Sequence, residues 1–133
     1  GFFEKQTFIL RSEKITLNEL EKGTLAKEFP DARLHFALVC AALGCPKLAA
    51  FAYNPKNLDE QLEQQTSRSI NDPDFIKIVG NKAQLSQIFE WYAADFGGKE
   101  KLVSYVQNYY LPKVKLDTSP VFYDYNWNLN ELK

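Results

Sequence analysis

Arg33-Leu34-His35-Phe36-Ala37-Leu38-Val39-Cys40 is the stretch on which the fold turns. Read with a period of two, Leu34, Phe36, Leu38 and Cys40 share one face, and His35, Ala37 and Val39 share the other. Both faces are mostly apolar, which predicts a central strand covered on both sides. In such a strand His35 and Cys40 point in opposite directions. Beyond it, Ala41 to Gly44 is a turn of small residues. Pro46 suits the first position of a helix, so Cys45 is expected just before a short helix running from Pro46 to Phe51.

Working back toward the start, Thr7 to Leu10 reads as a strand and Arg11 to Lys14 as a polar turn. Thr16 with Glu19 three residues on has the form of a capping box, which opens a helix from Leu17 to about Phe29. Gly23 is its weak point, and Pro30-Asp31 ends it. Working forward, Asn54 and Asn57 are helix starts, and a polar helix runs to about Ile70 on a thin stripe of Leu58, Leu62, Thr66 and Ile70. Phe75 to Val79 and Ala83 to Leu85 form a hairpin around Gly80-Asn81. Ser86 opens a helix whose stripe is Leu85, Ile88, Phe89, Tyr92 and Phe96, broken at Gly97-Gly98. A last helix carries Leu102, Val103 and Val106 and stops at Pro112. Val121 to Leu129 reads as a final strand or extended segment. The expected class is α+β: a small, mainly antiparallel sheet centred on residues 33–40, with four or five helices packed against it.

The chain has 133 residues, 45 % of them hydrophobic and 25 % charged. That excludes disorder as the main state, because the apolar content suffices to offset chain entropy. Sixteen Lys and Arg against seventeen Asp and Glu leave a net charge of -1. This balance lacks the basic footprint of a nucleic-acid binder. The longest apolar run, Phe36 to Leu43, falls far short of the roughly 18 residues that span a membrane, so no membrane insertion is expected. Met is absent and the first residue is Gly1, which reads as a processed or trimmed chain. The compartment stays open, export included, since a leader would lie outside these residues.

His35 is the one histidine, a candidate general base or metal ligand whose other reading is a hydrogen-bonded sheet residue. Cys45, just before a helix, would have its thiolate favoured by free N–H groups and the helix dipole; otherwise it is a small buried residue. Cys40 reads as structural. Asp95 lies one turn after Trp91 and is a candidate to cap a neighbouring group or to orient a histidine. Trp91 falls off the core stripe, as a wall of a pocket or a second packing surface. Asp72 and Asp74 flank a proline and read as a helix terminator rather than a calcium loop. One histidine and two cysteines do not make a zinc site. No metal or cofactor is expected, and no phosphate loop or G-x-S-x-G elbow is present.

Several stretches together resemble a known family: Leu34 to Cys40, Gly44-Cys45-Pro46-Lys47-Leu48, Tyr53 to Leu62, Leu85 to Phe96 and the closing Tyr125-Asn126-Trp127-Asn128-Leu129-Asn130. The resemblance is to the bacterial and eukaryotic family catalogued as domain of unknown function 547, and it runs in order along nearly the whole chain. It implies no settled activity. It implies a single domain that is most of a larger one, lacking an upstream helical segment rich in Trp, Asn and Tyr. That segment, or another protein, is the candidate partner. Where the family's closing motif has Tyr-Asp-Trp, this chain has Asn126 in the Asp place. The resemblance sets His35 and Cys45 in the family's most characteristic block.

Two functions follow. One is a thiol-dependent hydrolase or transferase with Cys45 as nucleophile, His35 as base and Asp95 as orienter. The other is a non-catalytic module in which Trp91, Tyr92 and Tyr125 line a groove for a peptide, a glycan or a partner surface.

Overall fold

Phe2–Lys5 (α1) is one helical turn that leads into an antiparallel hairpin of Thr7–Leu10 (β1) and Glu13–Thr16 (β2), with Thr7 opposite Thr16 and Leu10 opposite Glu13. The loop residues Arg11 and Ser12 both have left-handed φ, 50° and 69°. Two such residues in a row match the right-handed twist of a hairpin. The capping box closes as the sequence predicts: Glu19 Oε2 accepts from the Thr16 N–H at 2.7 Å and from its hydroxyl at 2.9 Å, and the Glu19 N–H donates back to Thr16 Oγ1 at 3.1 Å. The helix it opens is π-wound over Glu19–Leu25, around Gly23, before Ala26–Glu28 (α2) regains the α form. The structure, a computed structural model, describes residues 1–131. These first elements form one compact unit, Gly1–Asp31, and the remainder forms a second, Ala32–Lys133.

The second unit corrects the reading of its opening stretch. Leu34–Ala37 (α3) is a helical turn, not a strand. The N–H groups of His35, Phe36 and Leu38 donate to Ala32, Arg33 and Leu34. The chain becomes extended only at Leu38. A short run that is apolar throughout carries no decisive periodicity, and here the packing of Phe36 decides. Its ring is fully buried among Phe75, Phe89, Phe96 and Tyr105. The α+β class therefore stands, but the sheet is not centred on residues 33–40.

Leu58–Ile70 (α4) follows the predicted span. Lys77–Val79 (β3) and Lys82–Ser86 (β4) form the expected hairpin, with Val79 opposite Lys82 and Gly80 at φ 63° in the turn. Val121–Tyr123 (β5) adds parallel to β4, so the three-stranded sheet has the order β3-β4-β5. Gln87–Trp91 (α5) is capped by the Ser86 hydroxyl but ends sooner than its stripe suggests. Tyr92 to Gly97 continue as turns, and Gly97 and Gly98 take φ of 89° and 107°. Leu102–Tyr109 (α6) supplies Leu102, Val103 and Val106 to the core. That core also holds Ile70, Phe75, Ile76, Ala83, Leu85, Phe89 and Phe96.

The C-terminal stretch is built into this unit. Leu43 and Gly44 donate their N–H groups to Asn128 and Asn126, and Asn130 donates to Ala41. Ala42 and Leu129 form an antiparallel bridge. The loop that bears the cysteines is thus laced to the closing residues by backbone hydrogen bonds. Among the described residues no helix is long and apolar enough to cross a membrane.

Candidate functional site

The turn of α3 and the turns after α5 bring His35 and Asp95 together. His35 Nε2 lies 2.7 Å from Asp95 Oδ2. A carboxylate at that position accepts from Nε2–H, which leaves Nδ1 as the basic nitrogen of the neutral ring. The imidazole stacks on Tyr92, with centroids 4.1 Å apart and planes at 27°, and meets Phe96 at a tilt, 5.6 Å away. The ring is therefore held by a hydrogen bond at one edge and by two aromatic contacts. Asp95 is half exposed, while His35 is mostly covered.

Cys45 is not at a helix start. Residues 46–51 are irregular, so neither free helical N–H groups nor a helix dipole act on its thiol. Instead Cys45 closes a turn, donating its N–H to Ala42, and its sulfur lies against Cys40. Cys45 Sγ accepts from the Cys40 N–H at 3.0 Å. Tyr125 Oη lies 3.0 Å from Cys45 Sγ and 3.3 Å from Cys40 Sγ. The two sulfurs thus share one phenol oxygen. Both thiols are free.

The electrostatics follow from this geometry. Burial pushes the Cys45 thiol up, and the hydrogen bond it gives to Cys40 adds to that; Tyr125 and the Cys40 N–H offset only part. Burial acts on Cys40 too. There the hydrogen bonds from Cys45, Tyr125 and the Ala42 and Cys40 backbone outweigh it, and the net shift is downward. The first proton of the pair is thus favoured to leave from Cys40 and the second to stay at Cys45. Burial pushes the Tyr125 phenol strongly upward, and the two thiols beside it add to the shift. Burial thus favours the protonated phenol, whose oxygen lies within hydrogen-bond reach of both sulfurs.

The structure divides the expected groove residues. Trp91 packs on Tyr125, with centroids 5.2 Å apart, but Tyr92 turns away to His35. Trp127 takes its place, 4.6 Å from Tyr125 and stacked on Trp91 at 5.8 Å. Trp127 is 70 % exposed and Trp91 47 %, while Tyr125 is buried. Lys47 bridges Asp72 and Asp74 at 2.8 and 3.2 Å, in keeping with their reading as a terminator. Among the described residues no three His, Cys, Asp or Glu gather as metal ligands.

Sequence reasoning missed three contributors. Cys40 was expected to be structural, yet it shares the phenol with Cys45; the C-x4-C spacing around a turn was the available signal. Trp127 was assigned to the tail rather than to the aromatic face. Gln65 sits fully buried on α4 and donates to the carbonyls of Phe36 at 3.1 Å and Lys47 at 2.7 Å. It ties down both flanks of the 40–45 loop. A glutamine one residue from Thr66 on a thin apolar stripe was its only mark.

No curated protein and no solved structure matches this chain. A family model does, over residues 1–70, and its description is a protein of unknown function, DUF547. The matched stretch holds His35, Cys40 and Cys45 and stops before Asp95, Tyr125 and Trp127. It covers more than half of the 133 residues, and the chain belongs to the DUF547 family.

Proposed function

We propose that the chain carries a thiol-dependent acyl-transfer site, hydrolytic or transferring to another acceptor. Cys45 is the attacking sulfur, His35 its base and Asp95 the group that orients the imidazole. The observation that carries this reading is the 2.7 Å bond between His35 Nε2 and Asp95 Oδ2. It fixes the ring and leaves Nδ1 to take a proton. His35 and Cys45 have different hydrogen-bond partners at rest. Burial keeps Cys45 a thiol, so attack requires the base to close on it when an acyl group binds; such contacts are often long before substrate arrives. The Tyr125 hydroxyl, 3.0 Å from Cys45 Sγ, is a donor for the thiolate that forms.

The test is acylation by an activated thioester, followed by intact mass and peptide mapping. The expected result is an acyl adduct on Cys45 whose rate of formation falls about 100-fold in His35→Ala and less in Asp95→Asn. Cys40, the more easily ionised thiol, also acylates, but independently of His35; a Cys45 adduct that forms equally fast without His35 overturns the assignment.

A second reading rests on a different observation. Trp91 and Trp127 are stacked and exposed over the buried Tyr125, which is the form of a platform for a sugar ring or an aromatic peptide side chain. Quenching or shift of tryptophan fluorescence on titration with oligosaccharides, lost in Trp127→Ala, would support it. An unchanged spectrum across glycan and peptide panels would remove it.

A further inference from the structure

We propose that Cys40 and Cys45 are a redox pair that exchanges with small disulfides and closes into a reversible intramolecular disulfide. This rests on the thiol cluster alone and does not depend on the acyl-transfer reading. The Cys40 N–H donates to Cys45 Sγ at 3.0 Å, and the two sulfurs share one phenol oxygen, at 3.3 and 3.0 Å. The intervening residues already form a turn, closed by the Cys45 N–H on the Ala42 carbonyl. The ends are thus together before any bond is made.

The site also divides the two roles that such chemistry needs. An attacking sulfur must be ionised, and its partner must hold a proton until its own turn comes. Hydrogen bonds favour the anion at Cys40, and burial keeps Cys45 protonated. The Cys40 thiolate attacks one sulfur of the small disulfide, whose bond breaks and releases a thiolate. The Cys45 thiol then gives its proton to that departing thiolate and attacks Cys40 Sγ. The mixed disulfide breaks and a second thiolate leaves, protonated from solvent. Two protein thiols and one small disulfide become one protein disulfide and two small thiols, with two electrons passing to the reagent.

A bridge over so few residues restricts the unfolded chain little, so chain entropy adds only modestly to its stability. Such a bond is readily reduced, as exchange requires. Closure also replaces the thiol and thiolate beside Tyr125 Oη with a disulfide, a weaker hydrogen-bond partner. Tyr125 packs on Trp91 at 5.2 Å, so the indole reports the change.

The purified chain is equilibrated in a series of reduced and oxidised glutathione, quenched in acid, and read by intact mass, peptide mapping and tryptophan fluorescence. We expect loss of two hydrogens, a Cys40–Cys45 linked peptide, no covalent dimer, a fluorescence change that follows the same curve, and full reversal by reductant. Cys45→Ser should accumulate the glutathione adduct on Cys40. Cys40→Ser should form its adduct on Cys45 about tenfold more slowly at neutral pH. Persistent double glutathione adducts, covalent dimers or no oxidation in the folded wild type would overturn the pair. Equal trapping rates in the two variants would overturn the order of attack. The wild-type mapping decides the first point even if a variant fails to fold.

Discussion

Gly44 and Tyr125 are packed so closely that a methyl group on residue 44 would lie 2.9 Å from two carbons of the phenol ring and 2.9 Å from the Asn126 nitrogen. The residue between the cysteines is thus the surface on which their shared phenol rests. Gly44→Ala forces ring and backbone apart, which costs about 1–3 kcal/mol by overpacking. It should also loosen the Tyr125 contacts with both sulfurs. Denaturant melts and thiol-labelling rates check the two effects together.

Gly23 provides the contrast. A Cβ there meets nothing within 4 Å, and the site lies in the π-wound stretch of the first helix. Gly23→Ala should be neutral or stabilising by up to about 1 kcal/mol, from helix propensity. A fall in melting temperature would show that the π winding itself needs glycine.

Gln65→Leu should destabilise by about 1–3 kcal/mol, because it strips hydrogen bonds from the carbonyls of Phe36 and Lys47. Since those carbonyls flank the 40–45 loop, both cysteines should label faster under native conditions. Equal labelling in wild type and variant would confine the role of Gln65 to the helix interior.

Alkylation over a pH series should separate the thiols. The hydrogen bonds it receives shift the Cys40 thiol down, and burial shifts the Cys45 thiol up. As pH rises, adducts of iodoacetamide should appear first on Cys40, with Cys45 following at distinctly higher pH. Tyr125→Phe removes the hydroxyl that both sulfurs contact and should move each onset upward.

The first helix should loosen in acid. Hydrogen bonds from the Thr16 N–H and hydroxyl hold the Glu19 carboxyl below its ordinary value. A depressed carboxylate contributes stability above its unfolded pKa and loses it as pH falls through the folded one. Thr16→Ala should cost about 1 kcal/mol at neutral pH and flatten that acid dependence. Helicity by circular dichroism of wild type and variant across the acid range tests both.

Much of this was legible in advance, and the failures have one cause. The β1 turn, the Thr16–Glu19 box, α4, the Gly80 hairpin and α6 each carry a local signal, and each forms close to where that signal puts it. The His35–Asp95 pairing was also within reach as a guess about an orienting carboxylate. The error at residues 33–40 arose because a run apolar on every face fits a buried strand and a buried helical turn alike. Only the pocket of aromatic rings that receives Phe36, drawn from residues 75 to 105, discriminates between them. Cys45 failed for the same reason. Its environment was inferred from Pro46 next door, whereas Tyr125, eighty residues away, sets it.

That separation has a consequence for synthesis. During vectorial translation the two sulfurs emerge long before residue 125, and nascent chains that stop short of it carry both thiols with no phenol to cover them. The backbone bonds from Leu43 and Gly44 to Asn128 and Asn126 cannot form until those residues have left the ribosome. Until those bonds form, the newborn polypeptide presents its most reactive atoms to whatever waits at the exit of the ribosome.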